Sequence, residues 1–189
     1  MIIEGKRKIW ADYQKDIPDD HYFYVRSCIR QAFWPGSEVT FLDITRNKLG
    51  KDMYENPYHT TCGGIAYHSD TIPQETAMTI IARQFALMHE SGYENYVCSC
   101  ITSFGCYTET LETWHEYPEP GAKIRPYPWD PCQKQVAKQQ YLAHASDLIY
   151  KFRFDIAKQM KFPLVNAKTG KPLKVVEHIG CHYSKMFPS

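Results

Sequence analysis

Tyr93–Tyr107 reads YENYVCSCITSFGCY, a short β-branched and aromatic run that ends in three cysteines, Cys98, Cys100 and Cys106. The run Tyr93–Val97 has strand character, and it follows a helical pattern that Gly92 closes. That order puts Cys98 and Cys100 at the carboxyl end of a strand, where open α/β sheets hold their ligands. Cys106 is expected to open the next helix, where amide dipoles favour a thiolate over a thiol. A single cysteine is as often a small buried apolar residue as a ligand. Three within nine positions point instead to metal or redox chemistry.

The whole-chain numbers agree with a domain of that kind. At 189 residues, 43% of them hydrophobic and 14% aromatic, the chain is long enough to bury a sizeable core. A net charge of +1 with no long basic block gives no nucleic-acid footprint. No apolar run approaches the ~20 residues that span a bilayer. The first residues, MIIEGKRKIWADYQKD, carry charges where a signal peptide would be apolar. The expected location is therefore the cytoplasm. Seven cysteines, an odd count, do not form a closed disulfide framework, and a reducing compartment leaves thiolates free for metal.

Taken in order, residues 1–20 form a polar N-terminal arm, with Lys6-Arg7-Lys8 basic and Asp19-Asp20 acidic. His21–Arg26 predicts the first strand, running into Cys28. Trp34-Pro35-Gly36 punctuates, Ser37 is a candidate N-cap, and Glu38–Leu49 predicts a helix stopped by Gly50. Cys62-Gly63-Gly64 lets the backbone turn sharply or approach a bulky group closely. Pro73 starts a helix to about His89 with Ala77, Ile81, Phe85 and Met88 as its apolar stripe. Pro118–Pro131 reads as a proline-stiffened excursion, with Cys132 at its end in a structural or idle role. The spacing of Ala137, Tyr141, Ala145, Leu148, Phe152 and Ile156 predicts one long helix over Gln133–Met160. Leu173–Ile179 predicts a last strand, ending in Gly180-Cys181-His182. Alternating strands and helices of this kind predict an α/β fold with a mainly parallel sheet flanked by helices.

Two strand ends match each other. Cys28 precedes Trp34-Pro35-Gly36 with the same spacing by which Cys181 precedes Phe187-Pro188-Ser189. The pattern predicts an internal repeat, with a second domain beginning near residue 173 and not completed within the chain.

The order Cys28, Cys62-Gly63, Gly105-Cys106-Tyr107 and Gly180-Cys181-His182 resembles the CCG-domain (cysteine-rich domain) proteins, in particular the B-type subunits of heterodisulfide reductase. The likeness spans about residues 21–189. It implies one CCG-type iron–sulfur domain over 21–172 and the beginning of a truncated repeat over 173–189. It implies a [4Fe-4S] cluster, non-cubane or cubane, that reductively cleaves a small-molecule disulfide of the coenzyme M–coenzyme B kind. It further implies a complex with flavin-containing and ferredoxin-like subunits. Related subunits serve heterodisulfide reductase-like complexes of sulfur oxidisers, so an electron-relay or assembly role is an alternative. Zinc in a small interaction domain is the alternative metal.

The sequence departs from the family pattern at Thr61, where the first cysteine of Cys-Cys-Gly belongs, and at Ser103, where a Cys-x-x-Cys pair keeps only Cys106. The expected ligands are Cys28, Cys62, Cys98, Cys100 and Cys106, with Cys98 and Cys100 standing in for the missing thiolates. His59, His68 and His182 adjoin the motifs and read as surface or core histidines rather than ligands. No catalytic residue is assigned from the sequence.

Overall fold

The computed structural model describes residues 2–3, 6–7, 17–59, 62–116, 141–161 and 165–174. A short antiparallel pair, β1 (Ile2–Ile3) with β2 (Lys6–Arg7), occupies the N-terminal arm. The main sheet has four parallel strands in the order β4-β3-β5-β6. They are β3 (Tyr22–Val25), β4 (Met53–Tyr54), β5 (Asn95–Cys98) and β6 (Tyr141–His144). The α/β fold expected from the sequence is the fold observed.

All four residues of β3 are buried, because a parallel sheet with helices on both faces has no wet side. Alternation along the strands then builds two cores. Phe23, Val25, Tyr96, Cys98 and Leu142 face one core with Ile81, Phe85, Phe104 and Tyr107. Tyr22, Tyr24, Val97 and Ala143 face the other with Phe41, Leu42, Leu148 and Phe152. Cys98 therefore points to the same side as Val25, its register partner, and Ser99 begins the turn beyond it.

The helices follow from local chemistry. After β3, α1 (Cys28–Phe33) is short, and Trp34 separates it from α2 (Pro35–Leu42). The N-cap of α2 is Trp34, not Ser37. Pro35 takes the first helical position, where its missing N–H leaves no bond unmade, and the Ser37 hydroxyl bonds back to the Trp34 carbonyl at 2.9 Å. A π-helical stretch, Asp43–Lys48, continues α2, and Gly50 at φ +65° ends it, so the helix expected here is present. Next come α3 (Gly64–His68) and α4 (Gln74–Glu90), whose stripe Ala77, Ile81, Phe85 and Met88 is at most 2% exposed. Gly92, at φ +81°, donates to the His89 carbonyl, and Tyr93 donates to that of Met88, the paired bonds of a Schellman stop.

Two expectations change beyond β5. First, α5 runs Ile101–Glu116, so Cys106 lies in its second turn rather than opening it. Second, the predicted long helix does not exist as such. Tyr141–His144 is strand β6, paired in parallel with β5, and only then follow α6 (Ala145–Lys151) and α7 (Arg153–Gln159). The break is made by His144, whose Nδ1 accepts from the Ser146 N–H while Asp147 accepts from the His144 N–H, forming a capping box. The proline excursion, Cys132, residues 133–140 and Cys181 lie outside the described residues. So does the predicted last strand from residue 175 onward, and Leu173 and Lys174 are irregular.

Candidate functional site

In chain order the main sheet runs second, first, third, fourth strand, so the connection direction reverses between β3 and β5. The chain leaves those two adjacent strands on different sides, which opens a crevice at their carboxyl ends, the usual ligand site of such sheets. Cys28 follows β3 there, Cys98 ends β5, and Cys100 lies just beyond it. Cys62, just before α3, and Cys106, within α5, reach the same edge and share one buried cluster with Cys98. All five cysteines among the described residues are free thiols.

Gly64 gives the tightest measure of convergence. A Cβ built there would lie 2.8 Å from the Cys106 sulfur and 3.1 Å from the Cys62 sulfur. Both sulfurs thus press on the spot that a glycine leaves open. Gly63 makes the turn itself, at φ +70°, so each glycine of the Cys-Gly-Gly motif has its own role.

The remaining contacts are polar and few. The Cys62 sulfur accepts from the Gly64 N–H at 3.3 Å and from the Ser103 hydroxyl at 3.1 Å. Ser103, which stands where the family pattern has a cysteine, is therefore directly at the site. Cys106 meets the exposed His68 Nε2 at 3.3 Å. Below the sulfurs, His59 Nε2 bonds the Tyr96 hydroxyl, which donates to Tyr107, both at 3.1 Å. Burial lowers His59 to a pKa of about 4, with the Arg83 charge adding to the effect.

Electrostatics correct the expectation for Cys106. Burial pushes its thiol well up, and the neighbouring Cys62, Glu109 and Cys100 push it further. Cys62 is raised by burial against the opposing help of Ser103 and Gly64, with Cys100 and Cys28 close enough to add repulsion. Cys98 is raised well above the ordinary thiol range by burial, then by Cys100 and Cys62. Burial thus opposes ionisation of all three thiols. As thiolates they would repel one another, and Cys62 lies within electrostatic reach of each of the other four.

Among the described residues, no three Cys, His, Asp or Glu side chains are drawn together as a ready ligand set for one ion. A polynuclear cluster is itself several ångströms across, so its ligands need not meet at a point. Soft sulfurs crowded onto Gly64 fit such a group in the kind of donor they supply. Thr61 lies outside the described residues.

Sequence reasoning passed over Glu38, Ser27, Ser99 and His144, all buried at this edge. A cleft of about 460 Å³ opens on the α2–α6 side, lined in part by Tyr24, Glu38, Ser99 and His144. The only available signal was position: Ser27 precedes Cys28, Ser99 separates Cys98 from Cys100, and His144 pairs in register with Cys98.

No established protein-family profile matches the chain. Over 179 residues it is 25% identical to the B-type subunit of the ferredoxin:CoB-CoM heterodisulfide reductase of Methanosarcina acetivorans. The match covers 91% of this chain and 55% of that protein, so the chain spans about half the length of this relative. The resemblance seen in the cysteine motifs thus extends along most of the chain. No helix among the described residues is long and apolar enough to cross a membrane.

Proposed function

We propose that the chain is the iron–sulfur subunit of a heterodisulfide reductase-like complex and takes part in reductive cleavage of a small-molecule disulfide. The observation that carries this reading is the meeting of Cys62 and Cys106 on Gly64, at the sheet edge that also bears Cys28, Cys98 and Cys100. The relative supports it with a named disulfide reductase subunit. Cys28, Cys62, Cys98, Cys100 and Cys106 would hold the cluster, a [4Fe-4S] group of non-cubane or cubane form. When bound, that group would supply single electrons and an open iron for a substrate sulfur.

The chain's own residues would shape that chemistry. Ser103 and the Gly64 N–H donate to the Cys62 sulfur, and such donors tune a thiolate ligand. The packed floor of Phe23, Phe85, Tyr96 and Tyr107 keeps water from below the sulfurs. His68 stands beside Cys106 at the exposed rim, placed to offer a proton to a departing thiolate. By this reading the partners are a flavin-containing subunit and a ferredoxin-like subunit that delivers electrons, and the compartment is the cytoplasm.

The contact between His68 and Cys106 also favours a second reading, a zinc site of mixed Cys and His donors. Anaerobic metal and sulfide analysis separates the two. The cluster reading expects brown protein with iron and sulfide bound and an EPR signal on reduction. It further expects Cys106→Ala to lose most of the iron while Cys132→Ser keeps it. Colourless protein with zinc, or full iron content in Cys106→Ala, would overturn it.

A further inference from the structure

We propose that Glu38 is a positioning residue for the cysteine site, a buried carboxylate that ties the segment carrying Cys28 to the segment carrying Cys98 and Cys100. The assignment rests on reading those cysteines as cluster ligands, but its test does not depend on cluster chemistry.

Glu38 sits in the first turn of α2, 2% exposed, on the sheet face opposite Cys62 and Cys106. Its Oε1 accepts from the Ser99 hydroxyl at 2.5 Å and from the Ser27 N–H at 3.3 Å. The Ser27 N–H is shared, since it also lies 3.1 Å from the Ser99 oxygen. The Tyr24 hydroxyl donates to Oε2. One carboxylate therefore gathers a donor from the residue before Cys28, one from the residue between Cys98 and Cys100, and one from strand β3.

The position explains the expense of burying a charge. The β3–β5 ladder ends at the Val25–Cys98 pair, with a last long bond of 3.4 Å from the Ser99 N–H to the Val25 carbonyl. Beyond it the two chains part, one toward α1 and the other toward α5, and no regular ladder holds them. Both departing segments carry thiols. A carboxylate accepting from both reinforces the direct Ser27–Ser99 bond across the parting. A well-packed apolar residue would fill the space at lower desolvation cost. What it would not do is fix the spacing of Ser27 and Ser99, and through them the backbone of Cys28, Cys98 and Cys100.

The test uses the full chain, reduced and metal-free under anaerobic conditions, as wild type, Glu38→Ala, Glu38→Gln and Glu38→Met. Amide exchange is read in residues 26–28 and 98–100, with iodoacetamide labelling of Cys100 and Cys62 read by mass spectrometry. In Glu38→Ala, exchange in both segments and labelling at Cys100 should quicken about tenfold, the factor that one charge-assisted hydrogen bond represents. Cys62, which Glu38 does not touch, should label at the wild-type rate. Glu38→Gln keeps an oxygen for Ser99 and Ser27 and should restore most of the protection. Glu38→Met, of like volume but with no acceptor oxygen, should not. Wild-type protection in Glu38→Met would show a merely space-filling role and overturn the assignment. Should Glu38→Ala not fold, Glu38→Met carries the same expectation while leaving the direct Ser27–Ser99 bond in place. Unchanged exchange, or a uniform rise at Cys62 and Cys100 alike, would overturn the assignment. Wild-type protein that takes up no iron or sulfide would overturn the cluster reading while leaving this result standing.

Discussion

At the scale of single residues, Gly64 leaves no room for a side chain. An alanine methyl would meet two sulfurs and the Thr102 methyl, at 2.8, 3.1 and 3.2 Å. Relieving that overlap means moving Cys62 and Cys106 apart, so Gly64→Ala should cost about 1–3 kcal/mol in denaturant unfolding. It should also lower iron uptake, whereas wild-type stability and uptake in the variant would mean that the sulfurs do not meet there. His59 makes a different statement, about pH. Its folded value of about 4 lies below the ordinary 6.5, so between those values the unfolded chain binds more protons than the folded one. Its stabilising contribution is therefore whole near pH 7 and is lost as the pH falls toward 4. The loss should be roughly 2 kcal/mol, less than the full shift implies because the ring is partly hydrated. His59→Gln, which can still meet the Tyr96 hydroxyl, should flatten stability over that window; an unchanged slope would remove His59 from the account.

At the scale of elements, α4 is the clearest case of pattern becoming structure. Phe85 is fully buried, with its ring 5.1 Å from that of Tyr96 and 5.8 Å from that of Tyr107. Phe85→Ala should cost about 3–5 kcal/mol by thermal or denaturant unfolding, and a loss under about 1 kcal/mol would show a collapsible site. That stripe was legible because its period, its proline start and its glycine stop agree. Strand β6 was not legible, for two physical reasons. Leu142 and Ala143 favour helix locally, and only the distant ladder to β5 makes them strand. The helix start behind them is hidden as well, since histidine is not among the residues usually preferred as caps. Ala145, Leu148 and Phe152 still face the core as their spacing implies, so the period was right and the element boundaries were wrong. The site divides along the same line. Clustered cysteines and the Gly-Gly pair were visible in the sequence. The helix start at Ile101, which buries Cys106 in a second turn, was masked by Gly105. Glu38 was invisible because an acid in a first turn reads as a solvated partner of the helix dipole.

At the scale of the whole molecule, the five cysteines come from four stretches that the chain brings together only by folding. Cys28 starts α1, Cys62 precedes α3, Cys98 and Cys100 bracket the end of β5, and Cys106 lies in α5. A group bound by several of them bridges separate elements of the fold and binds the unfolded chain far more weakly, so its binding energy becomes folding energy. A ligand present at one hundred times its dissociation constant adds about 2.7 kcal/mol. For a chain of 189 residues that amounts to a rise in melting temperature of roughly 5–10 °C. Anaerobic loading with iron and sulfide should produce this rise, and Cys106→Ala, which removes a sulfur from the buried meeting point, should lose most of it. Cys132→Ser should show the wild-type rise, because Cys132 lies outside the matched motifs. Loaded and metal-free protein melting together would mean that the cysteines hold nothing across the fold. A rise preserved in Cys106→Ala would mean that the group is held by other sulfurs than those packed on Gly64.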